Sequence, residues 1–425
     1  MLRALLGKLR TAGPAAALGV ALAVAPAAAV LQSKALSPVA TLGLLAAVLL
    51  ARLRQGRWPL PGGPALWLAL ALFGWGGISA AWAPDPGRAL FTAVQLGGFI
   101  ALGAAGCVAV ARDSAVARQG MLLAALGGLA GGLLLAGLDL ASGNAIRLAV
   151  RGLSERPGIA VGLKPAASVM ALLLPLAAAV PGLPAWQRAV ALLAGGGIIM
   201  ALPGEAAKVA VLVAGLVGLV CLALPKWGPR LVGPVAAVLM LGMPALLGPG
   251  LGHGIPAAGL PASSAHRLLI WDFTIQRIRD KPLLGWGMEA SRRIPGAGEP
   301  ASAETLARFG IVPGVPIYET LAPASRLPLH THNGPLQVWL ELGMVGALLA
   351  AMLVFVLGRL AERSARPGVA AAMLASAAVT GLLSFGTWQE WWISAELLGL
   401  VALACLPRAL PSIPGARVAR RGQGS

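Results

Sequence analysis

An all-α integral membrane protein with about twelve transmembrane helices is the fold the sequence predicts, and three observations predict it. Of 425 residues, 58% are hydrophobic and 11% charged, where a soluble domain carries roughly 45–50% and about 25%. Mean hydropathy is +0.81. The apolar residues fall in blocks of about 18–23, long enough to cross a hydrocarbon core ~30 Å thick. In lipid every backbone amide must be paired internally, so the blocks are read as helices.

The first block, 14–32, follows Arg3, Lys8 and Arg10. A basic start before an alanine-rich run also fits a signal peptide, but many similar blocks follow, so it is read as the first membrane helix and retained. Blocks at 36–51, 64–82, 89–111, 119–140, 165–181, 189–203, 207–224 and 231–249 come next, and 334–358, 369–386 and 392–406 close the series. The expected division is therefore 1–249 (helices one to nine), 250–333 (an outer loop), 334–406 (helices ten to twelve) and 407–425 (a basic tail). Cys107, Cys221 and Cys405 each lie inside an apolar block and are expected to be small core residues.

Lys and Arg in the connections set orientation. One side collects 18 basic residues against Asp113 and Glu362, and the other 15 basic against 13 acidic. The first side is read as cytoplasmic and holds both termini, since twelve is even. The formal charge of +18 is thus mainly a topology signal. It is dispersed over loops and tail, so nucleic acid is not an expected partner.

One connection is long, 250–333 on the outer side, and long loops are uncommon unless functional or disordered. It holds all four histidines: His253, His266, His330 and His332. Leu268, Trp271, Ile275 and Ile278 recur at helical spacing from Ser264 to the turn at Lys281-Pro282, and a second short helix is predicted from Ser302 to Phe309, stopped by Gly310. These helices are expected to lie on the outer membrane surface and to cap a cavity.

Cations cluster on the same side. Arg147, Arg151 and Arg156 precede the sixth helix, Lys164 begins it, Lys208 begins the eighth, and Arg267 opens the loop helix. An ionisable group near the membrane reads as functional, although each cation alone also fits snorkelling to headgroups. Together they point to an anion, and arginine forks match phosphate oxygens. At a bilayer surface a polyprenyl diphosphate is the fitting ligand, with its tail among the helices. No Asp-x-Asp pair, HExxH, Cys/His ligand set or Walker loop is present in the sequence. No metal or cofactor is therefore expected, and side-chain cations would stabilise the leaving diphosphate.

The most informative stretch is His330-Thr331-His332-Asn333-Gly334-Pro335-Leu336-Gln337-Val338-Trp339-Leu340-Glu341-Leu342-Gly343-Met344-Val345-Gly346. His332 sits before a membrane helix, and histidine suits proton transfer near neutrality. Asn333 and Gln337 are candidates to fix a sugar hydroxyl or the imidazole tautomer, and Gly343 and Gly346 to let another helix approach. Trp388-Gln389-Glu390-Trp391-Trp392 reads as an interfacial aromatic belt, with sugar stacking as the alternative and Glu390 as a candidate substrate contact.

This stretch resembles the O-antigen ligase family, whose signature is His-(Asn/Ser/Gln), nine residues, then Gly-x-x-(Gly/Thr/Tyr). His332-Asn333, Gly343 and Gly346 fit it. Arg267, Trp271 and the run Lys281-Pro282-Leu283-Leu284-Gly285-Trp286-Gly287 resemble the family's upstream pattern, and the twelve-helix layout is similar. Two places depart. Lys164-Pro165-Ala166 stands where relatives often have Asn-Pro-Asn, and Gly204-Glu205-Ala206-Ala207-Lys208 where they often have Ser-Arg, with Lys208 as the stand-in for that arginine.

The resemblance implies a glycosyltransferase of the bacterial inner membrane, multi-pass, with its active site facing the periplasm. Its donor would be O-antigen polysaccharide on undecaprenyl diphosphate and its acceptor a sugar hydroxyl of lipid A–core, with membrane lipids around it. His332 is the expected general base, and Arg267 the second expected catalytic residue, holding and neutralising the diphosphate with the other cations. Arg147, Arg151, Arg156, Lys164, Lys208, His330, Asn333, Gln337 and Glu390 are the expected substrate contacts. An O-antigen polymerase or an O-linked oligosaccharyltransferase shares the motif and stays open. A lipid-linked glycan transporter would place charged groups on both sides of the midplane, whereas here they crowd the outer half.

Overall fold

The computed structural model describes residues 13–180 and 182–406. Arg3, Lys8, Arg10 and the tail 407–425, which carry part of the orientation signal, lie outside them. The described chain is all-helical, with no strand and one isolated bridge, Pro300 to Ser325.

The helices run α1 (Pro14–Leu31), α2 (Leu36–Gln55), α3 (Pro64–Ile78), α4 (Pro86–Ala111), α5 (Ala115–Ala141), α6 (Ala145–Val150), α7 (Lys164–Leu173) and α8 (Ala185–Ala201). They continue as α9 (Glu205–Ala223), α10 (Gly228–His253), α11 (Ala262–Asp280), α12 (Ala303–Arg308), α13 (Tyr318–Leu321), α14 (Gly334–Glu362), α15 (Pro367–Leu383) and α16 (Glu390–Ala404). Proline opens α1, α3, α4, α7, α10, α14 and α15 within the first two positions, where its missing N–H has no intrahelical partner to lose. Side-chain caps come from Asp85, Ser114, Ser302 and Asn333.

Nine helices among the described residues are long and apolar enough to cross a membrane: α1 to α5, α7 with its flanking 3-10 turns (Ile159–Ala179), α9, α10 and α14. α8 and α15 are apolar but shorter, at 17 residues each, and α16 has 15. Every predicted block is therefore a helix, while the length criterion supports nine spans. Pro175 explains why the block at 165–181 is split. It lies in the 3-10 stretch Leu174–Ala179, where its missing donor breaks the α-helical ladder.

The outer surface of the bundle is apolar, with Leu222 79% and Leu193 75% exposed. That is the surface expected of a wall against hydrocarbon. Inside, α1 lies along α5 so closely that a Cβ on Gly128 would strike the Ala23 backbone. α10 and α14 cross with Gly233 against Gly358, and small residues permit such approach where packing drives association. At the end of the bundle away from the loop, Asp113 pairs with Arg54, and Glu362 with Arg230 and Arg359.

Residues 257–327 form a folded cap with its own apolar core. Leu269, Ile270, Phe273, Ile278, Leu306, Phe309 and Leu321 are buried there together with Leu336 and Leu340 of α14. The two helices expected in the loop are α11 and α12. Ser302 caps α12 by accepting from Thr305 N, and Gly310 leaves it at a φ of +70°.

Candidate active site

The two motifs, 281–287 and 330–346, form one structural unit. Gly343 interrupts α14 at φ +64°, ψ −163°, a backbone region open essentially only to glycine. The break exposes backbone groups of α14, and residues 282–287 lie alongside to pair with them. Trp286 N donates to Leu340 O (2.9 Å), Gly287 N to Glu341 O (2.7 Å) and Met344 N to Pro282 O (2.9 Å). A Cβ on Gly343 would collide with the Leu283 carbonyl. Gly343 therefore admits the loop segment 282–287, not the neighbouring helix expected from the sequence. Gly346 likewise faces the Leu342 side chain.

Asn333 starts α14 by accepting from Leu336 N at 3.0 Å. His332, just before it, has φ +53°, unusual for a residue other than glycine. Its ring is fixed by a contact that the sequence did not reveal: Nδ1 lies 2.6 Å from the carbonyl of Ser384, at the end of α15. A carbonyl only accepts, so Nδ1 carries the proton, and in the neutral ring Nε2 is left as a proton acceptor. The tautomer is set by Ser384, not by Asn333, whose side chain caps the helix, nor by Gln337. Gln337 is buried and bridges Thr387 N (2.9 Å) to Glu341 (3.2 Å).

His330 is buried and accepts the His332 N–H through Nδ1 at 3.2 Å. Burial first, then the charges of His332, Arg292 and Arg267, hold its pKa down at about 3, so it is neutral in use. The His332 pKa is also lowered, chiefly by burial and further by Arg267, His266 and Lys164, against the raising effect of Ser384.

Arg267 reaches this histidine through α11. Four residues on, Trp271 donates its Nε1–H to Thr331 O at 2.9 Å, and residues four apart share a helix face. Burial lowers the Arg267 pKa, and no hydrogen bond or ion pair to its side chain is found among the described residues. Lys164 begins α7 half-buried, with Gly204 packed against it. Gly204 caps α9, where Lys208 pairs with Glu205 at 2.9 Å. Arg292, which the sequence reading did not single out, is exposed and lines an open cleft with Glu289, His330, Gln337, Glu341, Trp388 and Gln389.

The arginines before α7 are a separate group. Arg147 has no exposure. Its Nε bonds Asp139 at 2.6 Å, Nη1 the Ile159 carbonyl at 2.7 Å, and Nη2 the Asn144 side chain. The expected phosphate contact at Arg147 is corrected accordingly: this arginine closes a buried ion pair and has no face toward a ligand. Arg151 donates to the carbonyl of Leu31 at 2.8 Å, at the end of α1. Burial and the neighbouring Arg147 and Arg156 lower its pKa. Arg156 is exposed.

The tryptophans after α15 are not a belt. Trp388, Trp391 and Trp392 are buried, with Phe385 edge-on to Trp391 at 4.6 Å between centroids. Trp388 donates to Glu341 at 2.6 Å. Glu390 is exposed and accepts from Gln95 of α4 at 2.7 Å. Among the described residues no group of three or more His, Cys, Asp or Glu is placed to hold a metal ion.

The fold and the site together define a polytopic helical membrane protein with a neutral histidine, flanked by cations, beneath a folded loop at one end of the bundle. Residues 188–351 match the O-antigen ligase family model, and over that stretch the likeness read from the histidine motif is borne out. Three similar proteins each carry the name "Putative polysaccharide ligase". That of Rickettsia conorii is 34% identical over 148 residues, 34% of this chain and 32% of its own length. Those of Rickettsia felis and Rickettsia typhi are each 33% identical over 147 residues, again 34% of this chain and 32% and 33% of theirs. The chain thus aligns with about a third of these relatives.

Proposed function

We propose that the protein is a glycosyltransferase of the O-antigen ligase type, acting at the periplasmic face of a bacterial inner membrane. It transfers O-antigen polysaccharide from undecaprenyl diphosphate to a sugar hydroxyl of lipid A–core. The observation that carries the reading is His332, with Nδ1–H donated to Ser384 O and Nε2 free, and with Arg267 and Lys164 near enough to depress its pKa. The family match over 188–351 contains this histidine and supports a group-transfer function.

In the proposed step, Nε2 of His332 takes the proton of the acceptor hydroxyl. The acceptor oxygen forms a bond to the anomeric carbon from the face opposite the diphosphate. The bond from that carbon to the phosphate oxygen breaks, and undecaprenyl diphosphate departs with the electron pair. The anomeric configuration inverts. Arg267, Lys164 and Lys208 neutralise the departing charge, which substitutes for a metal. Low His332 basicity keeps the ring unprotonated, hence competent as a base, to a lower pH than an ordinary histidine.

The test is reconstitution in nanodiscs with undecaprenyl-diphosphate-linked glycan and O-antigen-free lipopolysaccharide. The expected result is glycan moving onto lipid A–core. Lengthening of the lipid-linked glycan instead would make the protein a polymerase, and movement onto an added protein acceptor an oligosaccharyltransferase. Transbilayer passage of the glycan without any bond formation would make it a transporter.

A further inference from the structure

The buried side chain that ties the histidine site together is Glu341, in the second turn of α14. Its carboxylate receives five donors from three stretches of chain. Glu289 N (2.6 Å), Ser291 N (3.3 Å) and the Ser291 hydroxyl come from the turn that carries Arg292. Trp388 Nε1 (2.6 Å) comes from the turn between α15 and α16. Gln337 Nε2 (3.2 Å) comes from one turn back in the same helix. Gln337 extends the link by accepting from Thr387 N at 2.9 Å. The stretch 384–388 is therefore held twice, once by Gln337 and once by Trp388, and its first residue supplies the carbonyl that holds His332.

From this connectivity we infer that Glu341 is a positioning residue for the transfer reaction: it keeps the 384–388 turn, and with it the Ser384 carbonyl, in the place that fixes His332. The inference rests on His332 being the base. Glu341 has no exposure and its carboxylate oxygens are taken up by the five donors, so it acts through its neighbours. The contacts also specify the chemistry of the position. All five partners donate, so the site accepts only a group without donors, and an ionised carboxylate is such a group. A glutamine is nearly the same size, yet its amide N–H₂ would face donors on whichever side it turned. Glu341→Gln is thus a disruptive change despite its shape.

The experiment compares wild type and Glu341→Gln as full-length protein in nanodiscs, with three readouts. The first is thermal unfolding. The second is kcat and KM for glycan transfer. The third is the pH dependence of His332 modification by diethyl pyrocarbonate, followed by peptide mass spectrometry, which needs no activity. Charged and titratable groups facing His332 are Arg267 and His266 from α11, Lys164 from α7 and His330 beside it. All are retained in the variant, so a change reports the ring's setting. The expected result is a folded variant with kcat lower by about 10²-fold, as for a displacement of about 1 Å at a reacting group. KM changes by less than about threefold. The His332 modification midpoint falls further below the ordinary value of ~6.5, because a displaced Ser384 carbonyl no longer raises it. An unmoved His332 midpoint in a folded Glu341→Gln overturns the inference. If that variant does not fold, Trp388→Phe removes one donor and keeps an aromatic, though smaller, side chain there. It is expected to move the midpoint in the same direction, and an unmoved midpoint there is the same refutation. Should wild type show no transfer while the midpoint still moves, the positioning stands and the ligase reading falls.

Discussion

Replacing His332 with asparagine is expected to lower glycan transfer by about 10²–10⁴-fold, the usual range for removing a general base, and to leave unfolding temperature near that of wild type. Asparagine is the informative choice because of the backbone. His332 has φ +53°, a conformation that asparagine tolerates better than most residues, and its amide can still donate to the Ser384 carbonyl. His332→Ala loses the same base but adds backbone strain, so its stability is expected to fall modestly. A His332→Asn protein that transfers glycan at the wild-type rate would remove this residue from the chemistry. His330→Gln is the companion control. His330 is neutral and is bound to the His332 N–H, so its replacement is expected to perturb positioning and to cost less activity than loss of His332.

The second large effect concerns stability. Asp139 and Arg147 both have no exposure and lie 2.6 Å apart. Removing one member of a buried pair leaves an uncompensated charge, typically at a cost of about 3–5 kcal/mol. Arg147→Ala is expected to unfold at a markedly lower temperature in detergent, with Asp139→Ala equally affected. The double change Asp139→Leu with Arg147→Met is expected to recover much of the loss, since an apolar pair of similar volume is often neutral or better. Had Arg147 been a phosphate ligand, Arg147→Ala would keep its stability and lose substrate binding. Thermal unfolding of the two single variants and the double variant decides between these roles.

The contrast between Arg147 and His332 illustrates what the sequence makes legible. Apolar blocks find helices because the bilayer imposes length and hydropathy directly, and every predicted block is helical. Their limits are harder to read, as at Pro175, where an apolar run continues through a change of helix type. His332 is legible because its motif is continuous in sequence. Arg147 was misread because its partner Asp139 lies eight residues earlier, inside an apolar block, where a single acid leaves little trace in hydropathy. Ser384 carries no signal at all, since its backbone carbonyl does the work from 52 residues away. Glu341 did leave one. It is the sole charge between Gly334 and Gly358, and an ionisable residue inside a membrane helix reads as functional by default. The tryptophans of 388–392 were placed at the lipid interface on composition. Their burial follows from packing of Trp391 and Trp392 against Phe385 and of Trp388 against Phe73, which composition does not encode.

In the proposed mechanism His332 works as a neutral base whose proton affinity is held down by burial and by nearby cations. The pH dependence of kcat/KM in wild type and Arg267→Ala tests this role. The guanidinium of Arg267 lowers the His332 pKa, so removing it raises that pKa. Wild type is expected to lose activity only below an acid midpoint under ~6.5, the ordinary histidine value, and Arg267→Ala to lose it at a higher pH, whatever its maximal rate. A wild-type profile with no acid limb, or a midpoint that does not move upward in Arg267→Ala, would contradict the account.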